Sequence, residues 1–311
     1  MKRQQKHLLD FIKGNNSMDY TYSVSIPHYN SPLLLQRMLN SIPERDDLQI
    51  IVVDDGSNEC YRDELRKIQR KNLETIFLNE NHGGGYARNV GLQHAKGKWF
   101  ISVDSDDFFS NNAFEIFDKY KHEDVDVLMF CINTRDERGM IVRHPLRSNE
   151  SVLAYLKENN EKTENRIRYL NPDTWNKLVS MKFIKDNDIR YENCRINIDA
   201  FYALQIGYFA KSIIAIPDKL YNWVITDGSI TMRKRSVERE FQFFLQAQKR
   251  NGFYKQIGLT SWPYYRKLIL YIPYMLKKRG VLDTISFFYI IYKNWNQVKE
   301  SRKSYLYLFD K

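Results

Sequence analysis

Cysteine is scarce in this chain. Cys60, Cys131 and Cys194 are odd in number, far apart and never in a CxxC pair, which argues against a disulfide framework and a zinc site alike. A reducing compartment is the simpler reading. Long apolar runs are missing too, since no stretch approaches the roughly 20 apolar residues that span a bilayer. The opening MKRQQKHLLDFIKGNN lacks the apolar core of a signal peptide, so a cytoplasmic location is expected. Repeats and low-complexity tracts are absent. What is present is the composition of an ordinary globular protein, 43% hydrophobic and 28% charged over 311 residues, long enough for one large domain or two smaller ones.

Positive charge is in excess, at a formal +10. Nucleic acid, anionic membranes and anionic small substrates all fit that balance. The C-terminal third interleaves basic clusters with aromatics in RKRSVER, YYRKLILYIPYMLKKRG and FFYIIYKNW. These match no RNA-binding signature, and nucleic acid is not expected as a partner. As amphipathic helices they fit either a membrane-surface face, peripheral at the inner side of the plasma membrane, or solvated helices with an aromatic core side.

The first half alternates strand and helix signals. Strands are expected at 22–29, 48–55, 74–79, 98–104 and 125–133, several as near-continuous apolar runs suited to parallel strands covered on both faces. Helical periodicity falls between them, in LLLQRMLNSI, YARNVGLQHA and NNAFEIFDKY. This βαβα order predicts an α/β doubly wound, mainly parallel sheet flanked by helices, followed by a mostly helical C-terminal region. The expected division is a basic leader at 1–19, a catalytic domain at 20–225 and a helical, basic and aromatic region at 226–311. Ligands of such sheets bind at the carboxyl ends of the strands. Four of those ends are polar here: Pro27-His28-Tyr29-Asn30, Asp54-Asp55-Gly56-Ser57, Asn79-Glu80-Asn81-His82 and Asp104-Ser105-Asp106-Asp107.

The last of these poses a question of like charge. If the strand continues to its end, alternation puts Asp104 and Asp106 on one side and Asp107 on the other. Two carboxylates on one side repel unless a cation relieves them, and magnesium or manganese takes one or two carboxylates together with phosphate oxygens. Capping of the next helix by Asp107 or Ser110 is the competing use. In VVDDGS, an Asp could open an Asx-turn with Gly56, or accept a hydrogen bond from a nucleotide base or ribose. NENHGGGYARNVG departs from GxGxxG because Arg88 stands where the third glycine belongs. Arg88 could bind phosphate or carboxylate at a helix start, or simply form an ion pair.

In combination SVSIPHYN, IIVVDDGS, NHGGGYARNVGLQHAKGKW and FISVDSDD resemble the family 2 inverting glycosyltransferases, of GT-A fold, over about residues 20 to 125. The resemblance implies that Pro27 and Tyr29 line the nucleotide pocket and Asp55 binds the base. Gly83 and Arg88 would lie near base and diphosphate, Asp104 would contact ribose or metal, and Asp106 would ligate Mn2+ or Mg2+. NPDTWNKLVSMKFIKDNDIRYEN resembles the W-N-K-L segment of bacterial cell-surface members, and YNWVITDGSITMRKRS their Y-x-Y...S-I-[ST] segment. Such members carry a Glu-Asp pair between the two, whose Asp is the general base. Here the pair reads Asn197-Ile198-Asp199, so Asp199 is assigned as base by position, with a simple helix-start carboxylate as the alternative. Trp175 is either an acceptor-stacking ring or a core tryptophan.

The implied activity is inverting transfer of a sugar from a nucleotide-diphospho-sugar, a UDP-sugar being favoured, to a hydroxyl of a glycan or lipid-linked acceptor in surface polysaccharide synthesis. A nucleotidyltransferase and a non-catalytic nucleotide-sugar-binding protein are the alternatives.

Overall fold

The computed structural model describes residues 20–194, 196–226, 236–261 and 263–310. The basic leader 1–19 and the Ser229-Ile230-Thr231 part of the final motif lie outside the described residues. The first elements are β1 (Tyr20–His28), α1 (Pro32–Asn40), β2 (Leu48–Asp54), α2 (Glu59–Arg66), β3 (Leu73–Phe77), α3 (Gly84–His94) and β4 (Gly97–Ser102). Then come β5 (Phe108–Phe109), α4 (Ala113–Asp118), β6 (Val127–Asp136), α5 (Arg147–Lys157), α6 (Glu161–Tyr169), β7 (Lys177–Ser180), α7 (Met181–Asp186), α8 (Ile198–Phe209) and β8 (Ile213–Ile225). Helices α9 (Val237–Gln256), α10 (Tyr271–Arg279), α11 (Val281–Lys293) and α12 (Trp295–Ser301) follow the sheet.

Among the described residues the strands form one mixed eight-stranded sheet in the order β3-β2-β1-β4-β7-β6-β8-β5. Strands β3, β2, β1 and β4 are mutually parallel, and β6 with β8 adds a second parallel pair. Strand β7 joins the two halves antiparallel to both neighbours, and β5 closes the edge antiparallel to β8. Strand β2 shows why the apolar runs are continuous: Ile50 and Val52 belong to the core on one face, Ile51 and Val53 to the core on the other. Full burial of each such side chain contributes about 1.5–3 kcal/mol.

Proline is unusual inside a central strand. The carbonyl of His28 accepts from Asp55 N–H on the β2 side, so the backbone groups of Pro27 face β4, where pairing has already ended at Ser25 and Ser102. The missing N–H therefore removes no ladder bond at that edge.

Strands β5, β7 and β8 were not anticipated, and β4 stops at Ser102 rather than Asp104. Beyond the sheet, Phe241, Phe244, Tyr271 and Phe287 form a core among α9, α10 and α11. A second cluster packs Phe201 and Leu204 of α8 against Phe253 of α9 and Tyr305. Glu192 strengthens that junction, paired with Lys249 and accepting 2.7 Å from the Tyr305 hydroxyl.

Candidate active site

The acidic segment is a turn, not the end of a strand: Asp107 N–H reaches back to the Asp104 carbonyl at 3.3 Å. Alternation therefore does not govern it, and the expectation that Asp107 points away is corrected. Oxygens of Asp104, Asp106 and Asp107 all lie within 4.8 Å of one another. Asp107 is nonetheless committed elsewhere, accepting 2.8 Å from the Tyr221 hydroxyl and 2.7 Å from Val224 N–H. It anchors β8 and does not cap α4, whose N-cap Asn112 makes no side-chain bond. Ser110 is not a cap either, its hydroxyl donating 2.8 Å to the Lys219 carbonyl. Tyr221 also accepts 3.0 Å from Asp104 N–H, so one phenol fixes both ends of the turn.

The oxygens of Asp106, and of Asp104 where Arg88 does not engage it, are thus those left in the turn. Burial, reinforced by the charge of Asp104, raises Asp106 to about 6, against Arg37 and Arg88. Burial with Asp104 and Asp106 pushes Asp107 well above the usual carboxylate range. Asp106, held at that electrostatic cost beside Asp104, suits a hard divalent cation such as Mg2+ or Mn2+.

At the end of β2 the two aspartates divide the work. Asp54 carries the turn, accepting from Ser57 N–H at 3.2 Å, Arg62 Nε at 3.1 Å and His28 Nδ1 at 2.9 Å. His28 Nε2 accepts from Ser31 N–H, which fixes the proton on Nδ1. Burial opposes the charge of Asp54, but hydrogen bonds from His28 and Ser57 outweigh it and its pKa is lowered. Asp55 turns to the glycine-rich segment, each oxygen accepting 2.8 Å, one from His82 N–H and one from Gly83 N–H. Gly83 has φ of 95°, which disfavours a side chain there. A Cβ at Gly85 would overlap the carbonyl oxygen of Glu192, so glycine lets α3 and the 192 loop meet.

Arg88 rises from α3 into that junction and is 7% exposed. Its guanidinium pairs with Asp104 through Nη2, and its Nε lies 3.8 Å from Asp199 Oδ1. Burial works against its charge, but Asp199 and Asp104 hold it protonated above the usual guanidinium value. Asp199 sits in the first turn of α8, where a helix dipole favours the carboxylate. Yet desolvation by the surrounding walls raises it to about 6, with Asp104 and Asp173 adding and Arg88 and Lys177 opposing. Asn89 holds the approach to α8, its side-chain amide accepting 2.8 Å from Tyr191 N–H and donating 3.0 Å to its carbonyl. Tyr191 in turn stacks on Tyr202 of α8, centroids 4.1 Å apart.

A cavity of about 480 Å³ brings Asp104, Asp199, Asp173 and Trp175 together. Trp175 is 7% exposed and stacked on Tyr221 at 5.5 Å, a core ring that also lines the cavity. Pro27, Tyr29, Asp55, Gly83, Arg88 and Asp106 are not among the lining residues of that cavity. Pro27 and Asp55 stand at the ends of β1 and β2, and Tyr29, 49% exposed, follows β1. Two supporting groups went unassigned from sequence, Asn89 and Lys177. Buried Lys177 donates to Asn171 O at 3.0 Å, Asn176 Oδ1 at 2.9 Å and the Asp173 carbonyl, tying down the 171–176 wall. Burial lowers its pKa to about 7, opposed by Asp173 and Asp199. The WNKL resemblance pointed at this segment without naming the role.

A mixed sheet with an acidic turn and a glycine-rich turn at its carboxyl rim defines an α/β protein of the GT-A class. The chain belongs to the glycosyl transferase family 2, whose family model matches residues 23–189. It is 28% identical over 208 residues to the poly(ribitol-phosphate) beta-N-acetylglucosaminyltransferase TarS of Staphylococcus aureus, covering 64% of this chain and 35% of that protein. The chain thus spans about a third of the length of that relative. Against the cholesterol galactosyltransferase of Borreliella burgdorferi it is 26% identical over 302 residues, covering 86% of this chain and 83% of that one. The structure of S. aureus TarS 1–349 with UDP-GlcNAc superposes with a TM-score of 0.55 at 22% identity, over 72% of this chain and 64% of that one. That likeness shows the fold alone.

Proposed function

We propose that this protein transfers a sugar from a nucleotide-diphospho-sugar, UDP-linked by preference, to a hydroxyl of a glycan or lipid-linked acceptor, with inversion at the anomeric carbon. The observation that carries the reading is the chain of contacts from Asp104 through Arg88 to Asp199 at one cavity. The UDP-GlcNAc held by TarS supports the choice of nucleotide.

In this reading the acceptor hydroxyl enters the cavity and gives its proton to Asp199. The acceptor oxygen bonds to the anomeric carbon while the bond to the diphosphate oxygen breaks on the opposite face. Asp104 and Asp106 would hold a divalent cation, which when bound would supply charge neutralisation for the departing diphosphate. Arg88 holds Asp199 and Asp104 in register without touching substrate. Asp55, at the other end of the rim, receives the base and keeps the glycine-rich turn in place.

Calorimetric titration with UDP-sugars, manganese present and then chelated, tests the donor site. Metal-dependent binding is expected, weakened at least tenfold in Asp55→Ala. A folded protein that binds no nucleotide sugar would overturn the reading.

The acceptor side adds an anionic membrane surface as partner. No helix among the described residues is long and apolar enough to cross a membrane. Helices α10 and α11 instead expose Ile272, Leu276, Leu282, Ile285 and Tyr292 beside the exposed Lys277, Lys278 and Lys293. Apolar side chains flanked by lysines complement an anionic lipid surface, where each basic residue contributes about 1 kcal/mol. Flotation with phosphatidylglycerol vesicles at low salt should carry the protein to the lipid layer, and 0.5 M salt should weaken that binding on the order of tenfold or more as the surface charge is screened. Absence of flotation at low salt would remove the membrane from the mechanism.

A further inference from the structure

A second cavity, of about 760 Å³, opens between α9 and the segment 266–274. It shares Arg147, Arg250, Arg266, Asn197 and Ala247 with the cavity that holds Asp199. Neither Asp104, Asp106 nor Asp199 lines it, and its carboxylate, Glu240, accepts 2.8 Å from the Tyr274 hydroxyl. The three arginines therefore stand at the junction of the two cavities, beyond the acidic turn.

Their state differs from that of nearby Arg168. That side chain is bound to Glu164 and to the carbonyls of Gly207 and Ala210, a structural role. Among the described residues, no ion pair engages Arg147, Arg250 or Arg266. The frame around two of them is nevertheless firm. Buried Asn251, next to Arg250, accepts 2.9 Å from Arg266 N–H and donates 2.8 Å to its carbonyl, clamping the Arg266 backbone onto α9. Arg147, the first residue of α5, lines both cavities as well.

We propose that Arg147, Arg250 and Arg266 form an acceptor subsite that binds a phosphate ester near the hydroxyl to be glycosylated. This rests on Asp199 being the base, because the acceptor must then reach from Asp199 into the junction. Planar guanidinium forks match phosphate oxygens pairwise, and three of them offer more donors and charge than one carboxylate could use. The donor diphosphate does not compete for them, being assigned to the side of Asp104 and Asp106. Two sources share this chemistry: a polyol-phosphate chain and a lipid-linked diphosphate.

The test is a binding measurement that needs no donor and no turnover. A glycerol phosphate trimer, geranyl diphosphate and glycerol are titrated into wild type, Arg250→Gln and Arg266→Gln, with UDP titration in manganese run in parallel. At least one phosphorylated probe should bind wild type at least tenfold more tightly than glycerol and lose tenfold or more in each variant, while UDP affinity stays within twofold. The tighter of the two phosphorylated probes names the source. Equal binding of phosphorylated and neutral probes, or variants that bind the phosphorylated probes like wild type, would overturn the subsite. Failure of the donor reading appears separately, as loss of UDP binding by wild type.

Discussion

Asp199→Asn should lower kcat by about 10²–10⁴-fold, the range that a positioned general base contributes, while UDP-sugar affinity stays within about twofold. The substitution keeps the shape of the side chain and removes the lone-pair basicity on which proton abstraction depends. Wild-type kcat/KM should fall with acid below a pKa close to 6, the value to which burial raises Asp199. The variant's residual rate should lose that limb.

Stability should move the other way. An acid whose folded pKa is raised costs the fold stability when it ionises. That cost is absent below the unfolded value of about 3.9, grows as pH rises, and is complete above about 6. The Asp199 side chain keeps 35% exposure, so solvent screening limits the gain on its removal to about 1 kcal/mol or less. Asp199→Asn should therefore be at least as stable as wild type in urea at pH 7.5. A variant with full activity would return Asp199 to the role of a helix-start carboxylate. A variant that unfolds would make it structural.

Arg88→Met is the second large effect. Its loss leaves Asp104 and Asp199 facing each other's field without the cation that pairs with both. The expected destabilisation lies toward the lower end of the about 3–5 kcal/mol lost when one member of a buried ion pair is removed. The reason is that Asp104 and Asp199 keep 30% and 35% exposure. The deficit should be full at pH 7.5 and shrink toward pH 4 as Asp199 protonates. Activity should fall as well, and its acid limb should move above about 6, because Arg88 is a group that lowers the Asp199 pKa. Arg88→Lys restores charge but not the fork, and should recover stability more than rate. An unshifted pH profile in Arg88→Met would show that Arg88 does not act through Asp199.

Much of the N-terminal half was legible because its central strands are buried on both faces. Val52 and Val53 enter opposite cores, and that requirement writes a continuous apolar run into the sequence. Strand β7 has four residues and β5 two, too short for any period to register. Strand β8 carries Pro217 and Asp218, and its pairing with β6 shifts register around Cys131, so alternation is broken where the fold needs it. The acidic turn was recognisable by composition, but its geometry depends on Tyr221, far along the chain. For the same reason nothing near Asp199 or Arg88 in sequence announces that they meet. The basic and aromatic tail was read as amphipathic helices, and α10 and α11 bear out the helices while their outer face awaits the vesicle experiment.

The grip of Lys249 and Tyr305 on Glu192, whose carbonyl abuts Gly85, has a practical consequence for protein engineering. The tail helices are not detachable cargo. A chimera that exchanges them with those of a relative must transplant Glu192, Lys249 and Tyr305 as a set, or the mismatch will surface at the glycine-rich turn before α3.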